Sequence, residues 1–104
     1  MTILTAENFD ITLKVNKVVV VDFWAEWCQP CKRMSPVFDK ASEQYENVVF
    51  AKVDADHDPD ILAKYNVQGI PTTIIFNDAR PVAEMVGFKG ESSLIKFLEL
   101  NLSK

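Results

Sequence analysis

Cysteine and histidine are scarce in this chain, and the scarcity narrows its chemistry. Cys28, Cys31 and His57 are the only histidine and cysteine side chains in 104 residues. A structural zinc site needs four nitrogen or sulfur ligands, so zinc held within one chain is not expected. Basic residues are also in deficit: 11 Lys and Arg stand against 15 Asp and Glu, and the formal charge of −4 disfavours a phosphate backbone as a partner. No apolar run is longer than that of residues 18–21, whereas a membrane-spanning helix takes about 20 residues. The opening residues lack the basic segment and the apolar core, about 7 to 15 residues long, of a secretory signal. A cytoplasmic protein with no membrane and no nucleic acid among its partners is therefore expected.

What is present is a composition of 48% apolar and 25% charged residues, that of an ordinary globular domain. There is no repeat, low-complexity tract or linker, so residues 1–104 read as one domain. A chain of this length buries about two-thirds of the surface it exposes when unfolded, and needs no cross-link to stay folded. Thr5 can cap a helix over residues 6–15, behind a short edge strand at 1–4. Val18–Trp24 is β-branched and almost without alternation, as in a central strand covered on both faces. Met34, Val37, Phe38, Ala41 and Tyr45 keep helical spacing over residues 28–45, with Pro36 expected to bend that helix. A parallel strand at 48–53 follows, and Asp58 with Pro59 starts a helix that runs to Asn66. Residues 72–76 and 82–86 suggest an antiparallel hairpin, and Leu94, Phe97 and Leu98 line a last helix beginning near Glu91. The order β-α-β-α-β-α-β-β-α implies a three-layer α/β domain with a mixed sheet.

Cys28 and Cys31 stand three positions apart where the central strand passes into the long helix. In open parallel sheets such junctions collect functional groups. The free N–H groups and dipole of a helix start favour an anion, so Cys28 should ionise more readily than an ordinary cysteine. Cys31, one turn on, should be more buried and hold its proton longer. That asymmetry gives an order of events: Cys28 attacks a substrate disulfide, and Cys31 then resolves the mixed disulfide by attacking Cys28. Pro30 suits the first turn, where no donor is needed, and stiffens the ring between the sulfurs.

The segments Val21-Asp22-Phe23-Trp24-Ala25-Glu26-Trp27-Cys28, Pro30-Cys31-Lys32, Gly69-Ile70-Pro71-Thr72 and Val86-Gly87 closely resemble the thioredoxin family, in register over nearly the whole chain. The resemblance implies the thioredoxin fold: an α/β/α sandwich with a mixed sheet of four to five strands and about four helices. It implies a protein-disulfide reductase that binds no cofactor, works through a redox-active Cys28–Cys31 disulfide, and draws on NADPH only through a thioredoxin reductase. Clients would be disulfide-containing proteins, and the chain a monomer. Asp22 matches the family's buried carboxylate, which moves a proton to or from Cys31, and Lys52 matches the lysine beside it. Pro71 matches the family's cis-proline, and Trp27, Ile70 and Gly87 would form an apolar docking rim.

Other readings remain at this point. Asp22 could be a structural acid paired with Lys52. His57, in an aspartate-rich run, reads as an exposed loop residue, and that run lacks the spacing of a calcium loop. A more oxidising oxidase or isomerase of the same fold, a binding module on that scaffold, or a dimer bridging an iron–sulfur cluster are alternatives. Gln29 stands where the family usually has glycine, which touches redox poise. Ala79 replaces a common hairpin glycine and argues against a turn needing positive φ there. Phe88 would enlarge the docking rim.

Overall fold

The computed structural model describes residues 1–103. Its elements are β1 (Thr2–Leu4), α1 (Phe9–Val15), β2 (Val18–Trp24), α2 (Gln29–Ser42), β3 (Val49–Asp54), α3 (Pro59–Lys64), β4 (Thr72–Asn77), β5 (Arg80–Val86) and α4 (Glu91–Asn101). They follow the order expected from the sequence. The strands lie in the order β1-β3-β2-β4-β5, which puts β2 at the centre. β3 runs parallel to β1 and β2, whereas β4 is antiparallel to β2 and β5. No helix among the described residues is long and apolar enough to cross a membrane.

The near-continuous apolar run of β2 feeds two cores at once. Val19, Val21 and Phe23 pack with Phe9 and Leu13 of α1 and Ile61 of α3. Val20 points the other way, into Met34 and Phe38 of α2 and Leu94 and Leu98 of α4. Alternation then places Asp22 on the same face as Val20, beneath α2. That one position puts a carboxylate inside the sheet.

Several boundaries differ from expectation, each for a local reason. α1 starts at Phe9 because residues 5–8 form a turn instead. Asn8 Oδ1 accepts the Thr5 N–H at 2.7 Å, and the Thr5 carbonyl accepts the Asn8 and Phe9 N–H groups. α2 ends at Ser42, yet Tyr45 is still buried, its ring stacked on Phe50 at 5.9 Å. α3 stops at Lys64, short of Asn66. Asp58 precedes α3 as expected, but its side chain does not cap it: Oδ1 accepts from the Ala6 N–H and Oδ2 pairs with His57 Nδ1 at 2.6 Å. The hairpin turn is Asp78-Ala79 alone, with φ of 52° and 67°. The expectation for Ala79 is thus overturned. A two-residue turn with both φ positive matches the strands' twist, and that outweighs alanine's reluctance to adopt it. Pro81 needs no ladder donor on the outermost strand, and the register shifts between Ile75 and Phe76.

Candidate active site

Cys28 occupies the cap position of α2, with φ −90° and ψ 109°, and closes a disulfide with Cys31 across a Cα–Cα distance of 5.3 Å. The Cys31 N–H donates to Cys28 Sγ at 3.2 Å. A sulfur thus stands where a serine or aspartate oxygen normally caps a helix, and the same N–H stabilises negative charge on it once the disulfide opens. No acidic residue in the first turn counters this. Pro30 falls in that turn, where a missing N–H costs nothing. Gln29 is exposed, while Cys28 and Cys31 are both buried, at 4% and 1% exposure. Cys31 is the deeper, by a small margin.

The loop before β4 supplies the facing wall. The Ile70–Pro71 peptide is cis, and the Ile70 carbonyl oxygen lies 3.9 Å from Cys28 Sγ. The Pro71 carbonyl accepts the Gly87 N–H at 2.7 Å, and Gly87 holds φ of 86°, a conformation that favours glycine. Trp27 is 67% exposed, and its Nε1 donates to Asp56 Oδ2 at 3.0 Å. Ile70 thus faces Cys28, and Gly87 is tied to Pro71 behind it. Trp24 is half-buried against the cysteines, and Phe88 packs into the core below α2 and α4 rather than widening the rim.

Behind Cys31 a cleft of about 400 Å³ is lined by Asp22, Trp24, Glu26, Cys31, Lys32, Ser35 and Lys52. Asp22 is 1% exposed, and its Oδ1 has no hydrogen-bond partner among the described residues. Burial pushes its carboxyl up to about 7, against the lowering pull of the Lys52 ammonium, and the Asp39 carboxylate adds to the rise. Lys52 is the strand neighbour of Asp22, but its ammonium pairs with Asp39 and Ser35 rather than with Asp22. The Lys52 ammonium donates to Ser35 Oγ at 2.5 Å and pairs with Asp39 Oδ1 at 3.1 Å. α2 competes for the lysine and wins. His57 is an exposed loop residue paired with Asp58.

Sequence reasoning missed Ser35, Asp39 and Asp56. Ser35 and Asp39 are four apart, one helical turn, so they share a face of α2; the signal was there, but nothing in it pointed to Lys52. Asp56 belongs to the aspartate-rich run around His57, and nothing in the sequence links that run to Trp27.

A cysteine pair at a helix start, the Ile70–Pro71 backbone facing it and a buried acid behind it define a thiol–disulfide exchange protein. The family model for thioredoxin matches residues 1–100. A thioredoxin from Staphylococcus aureus is 40% identical over 104 residues, covering 98% of this chain and 100% of that one. A bifunctional thioredoxin reductase/thioredoxin from Mycobacterium leprae is 44% identical over 94 residues, 89% of this chain but 20% of that protein. A solved structure of Plasmodium falciparum thioredoxin superposes with a TM-score of 0.92 at 34% identity, covering 98% of this chain and 100% of that one. The chain belongs to the thioredoxin family. It has the thioredoxin fold, and it is a protein-disulfide oxidoreductase that reduces disulfides by dithiol exchange through its own cysteine pair, without a cofactor.

Proposed function

We propose that Cys28 is the attacking sulfur, Cys31 the resolving one, and Asp22 the group that exchanges the Cys31 proton. The observation that carries this is the Cys31 N–H on Cys28 Sγ, with Asp22 buried in the cleft behind Cys31. In the reduced protein the Cys28 thiolate attacks one sulfur of a client disulfide and expels the other as a thiolate. A mixed disulfide joins client and Cys28. Asp22 then takes the Cys31 proton, and the Cys31 thiolate attacks Cys28 Sγ, releasing the second client thiolate. Two electrons have passed from the cysteine pair to the client, and each expelled thiolate takes up a proton.

Clients dock as extended segments along Trp27, Ile70, Pro71 and Gly87, with Ile70's backbone beside the sulfur. Gln29 and Pro30 set the poise of the disulfide, and Lys52, tethered by Ser35 and Asp39, tunes Asp22. The pair is recharged by an NADPH-dependent flavoprotein thioredoxin reductase, a reading supported by the mycobacterial relative named as a reductase joined to a thioredoxin. The protein works in the cytoplasm as a monomer, with residues 1–104 acting as one domain.

Insulin-disulfide reduction, driven by NADPH and a thioredoxin reductase, tests this reading. The wild type should reduce insulin and Cys28→Ser should not. An inactive wild type, or undiminished turnover in Cys28→Ser, contradicts it.

A further inference from the structure

Two buried polar atoms lack a partner among the described residues, Asp22 Oδ1 and Thr73 Oγ1, and they belong to directly opposed residues. Asp22 on β2 faces Thr73 across the antiparallel β2–β4 pairing, and both are essentially inaccessible, at 1% and 0% exposure. Opposed residues in such a pair share a face and hold their Cβ atoms about 4.5 to 5.5 Å apart. A threonine hydroxyl and an aspartate oxygen close that span by χ1 rotation between staggered positions. The contrast with Thr72 is instructive: its hydroxyl is already used, donating to the Gly69 carbonyl at 2.5 Å. Thr73 has no such use.

The other groups around Asp22 are committed or lie elsewhere in the cleft. From β3, Lys52 is held by Ser35 and Asp39 of α2. Also from α2 come Cys31, in the disulfide, and Lys32, which pairs with Glu26 of the preceding loop at 3.7 Å. From β4 comes Thr73 alone as a polar side chain opposite the acid.

We propose that the Thr73 hydroxyl is the hydrogen-bond partner of the Asp22 carboxyl, which makes Thr73 a positioning residue for proton exchange with Cys31. A hydroxyl suits this because it donates to the carboxylate and accepts from the protonated acid, so the pair stays satisfied as the proton comes and goes. The bond to the charged form is the stronger, so Thr73 favours ionised Asp22 and keeps it a competent base near neutrality. The proposal rests on the role given to Asp22 above, but the pairing is measured separately from that role.

The test is a carboxyl-carbon NMR titration of Asp22 in the oxidised protein, in wild type, Thr73→Val and Thr73→Ser. Valine keeps the shape and suits a strand, and serine keeps the hydroxyl. The midpoint in Thr73→Val should rise by about half a unit or more, roughly a threefold change in the protonation equilibrium, while Thr73→Ser stays near wild type. An unchanged or lowered midpoint in Thr73→Val overturns the proposal. So does a Thr73→Ser midpoint that moves as far as that of Thr73→Val, because packing would then be the cause. If instead Asp22→Asn resolves mixed disulfides at the wild-type rate, the proton-exchange role fails while the titration still decides the pairing.

Discussion

Asp22 is where residue chemistry and stability pull in opposite directions. Its carboxyl rises from 3.8 to about 7 on folding, chiefly by burial, so the folded chain holds this proton longer than the unfolded one. Stability should therefore be unaffected by Asp22 below about pH 4, fall as pH rises toward 7, and level off above that. At about 1.4 kcal/mol per unit the full effect approaches ~4 kcal/mol. Urea denaturation of wild type and Asp22→Asn at several pH values measures it. The variant should gain on the wild type by about 2 to 4 kcal/mol between pH 4 and pH 8, and turn over more slowly as a reductase. At this scale the sequence was legible wherever a residue type is unusual for its setting: two cysteines at one junction, one acid in an apolar strand. It was silent on Thr73, because a threonine in a strand needs no explanation and only the β2–β4 register shows which residue faces Asp22. The same holds for Ser35 and Asp39, whose use depends on where Lys52 reaches.

Elements were readable from periodicity, but their ends were not. Val18–Trp24 and the start of α4 at Glu91 coincide with expectation, since long apolar patterns fix them. The start of α1 depends on a local bond, the Asn8 side chain on Thr5, that competes with the helix. The β4–β5 turn shows the clearest conflict. Ala79 sits at φ 67°, which costs alanine about 1 kcal/mol or more, so Ala79→Gly should raise stability by several tenths to about 1 kcal/mol in thermal or chemical unfolding. Phe38 shows what joins α2 to the sheet. It is fully buried against Phe50, ring centroids 5.2 Å apart, and Phe38→Ala should cost about 3 to 5 kcal/mol. Because Phe38 lies more than two turns beyond Cys28, turnover per folded molecule should change little.

For the whole molecule, the sheet brings together segments that are distant in sequence: Cys28 at the cap of α2, Ile70 and Pro71 just before β4, and Gly87 just after β5. Spacing and the strand-to-helix junction mark the first of these, whereas nothing local marks Ile70 or Gly87 as neighbours of a sulfur and only the family pattern singles them out. The division of labour within the pair has its own consequence. Cys31→Ser cannot resolve, so incubation with a client disulfide should leave a stable adduct on Cys28, visible by intact mass, whereas the wild type should accumulate none. As a reductase, this pair gives electrons to clients rather than taking them. Equilibration of the Cys28–Cys31 pair against glutathione buffers measures this most directly. The pair should equilibrate at ~−270 mV, the value typical of thioredoxins and well below about −200 mV, even with Gln29 in the ring. A value at or above about −180 mV, where disulfide isomerases lie, would contradict it.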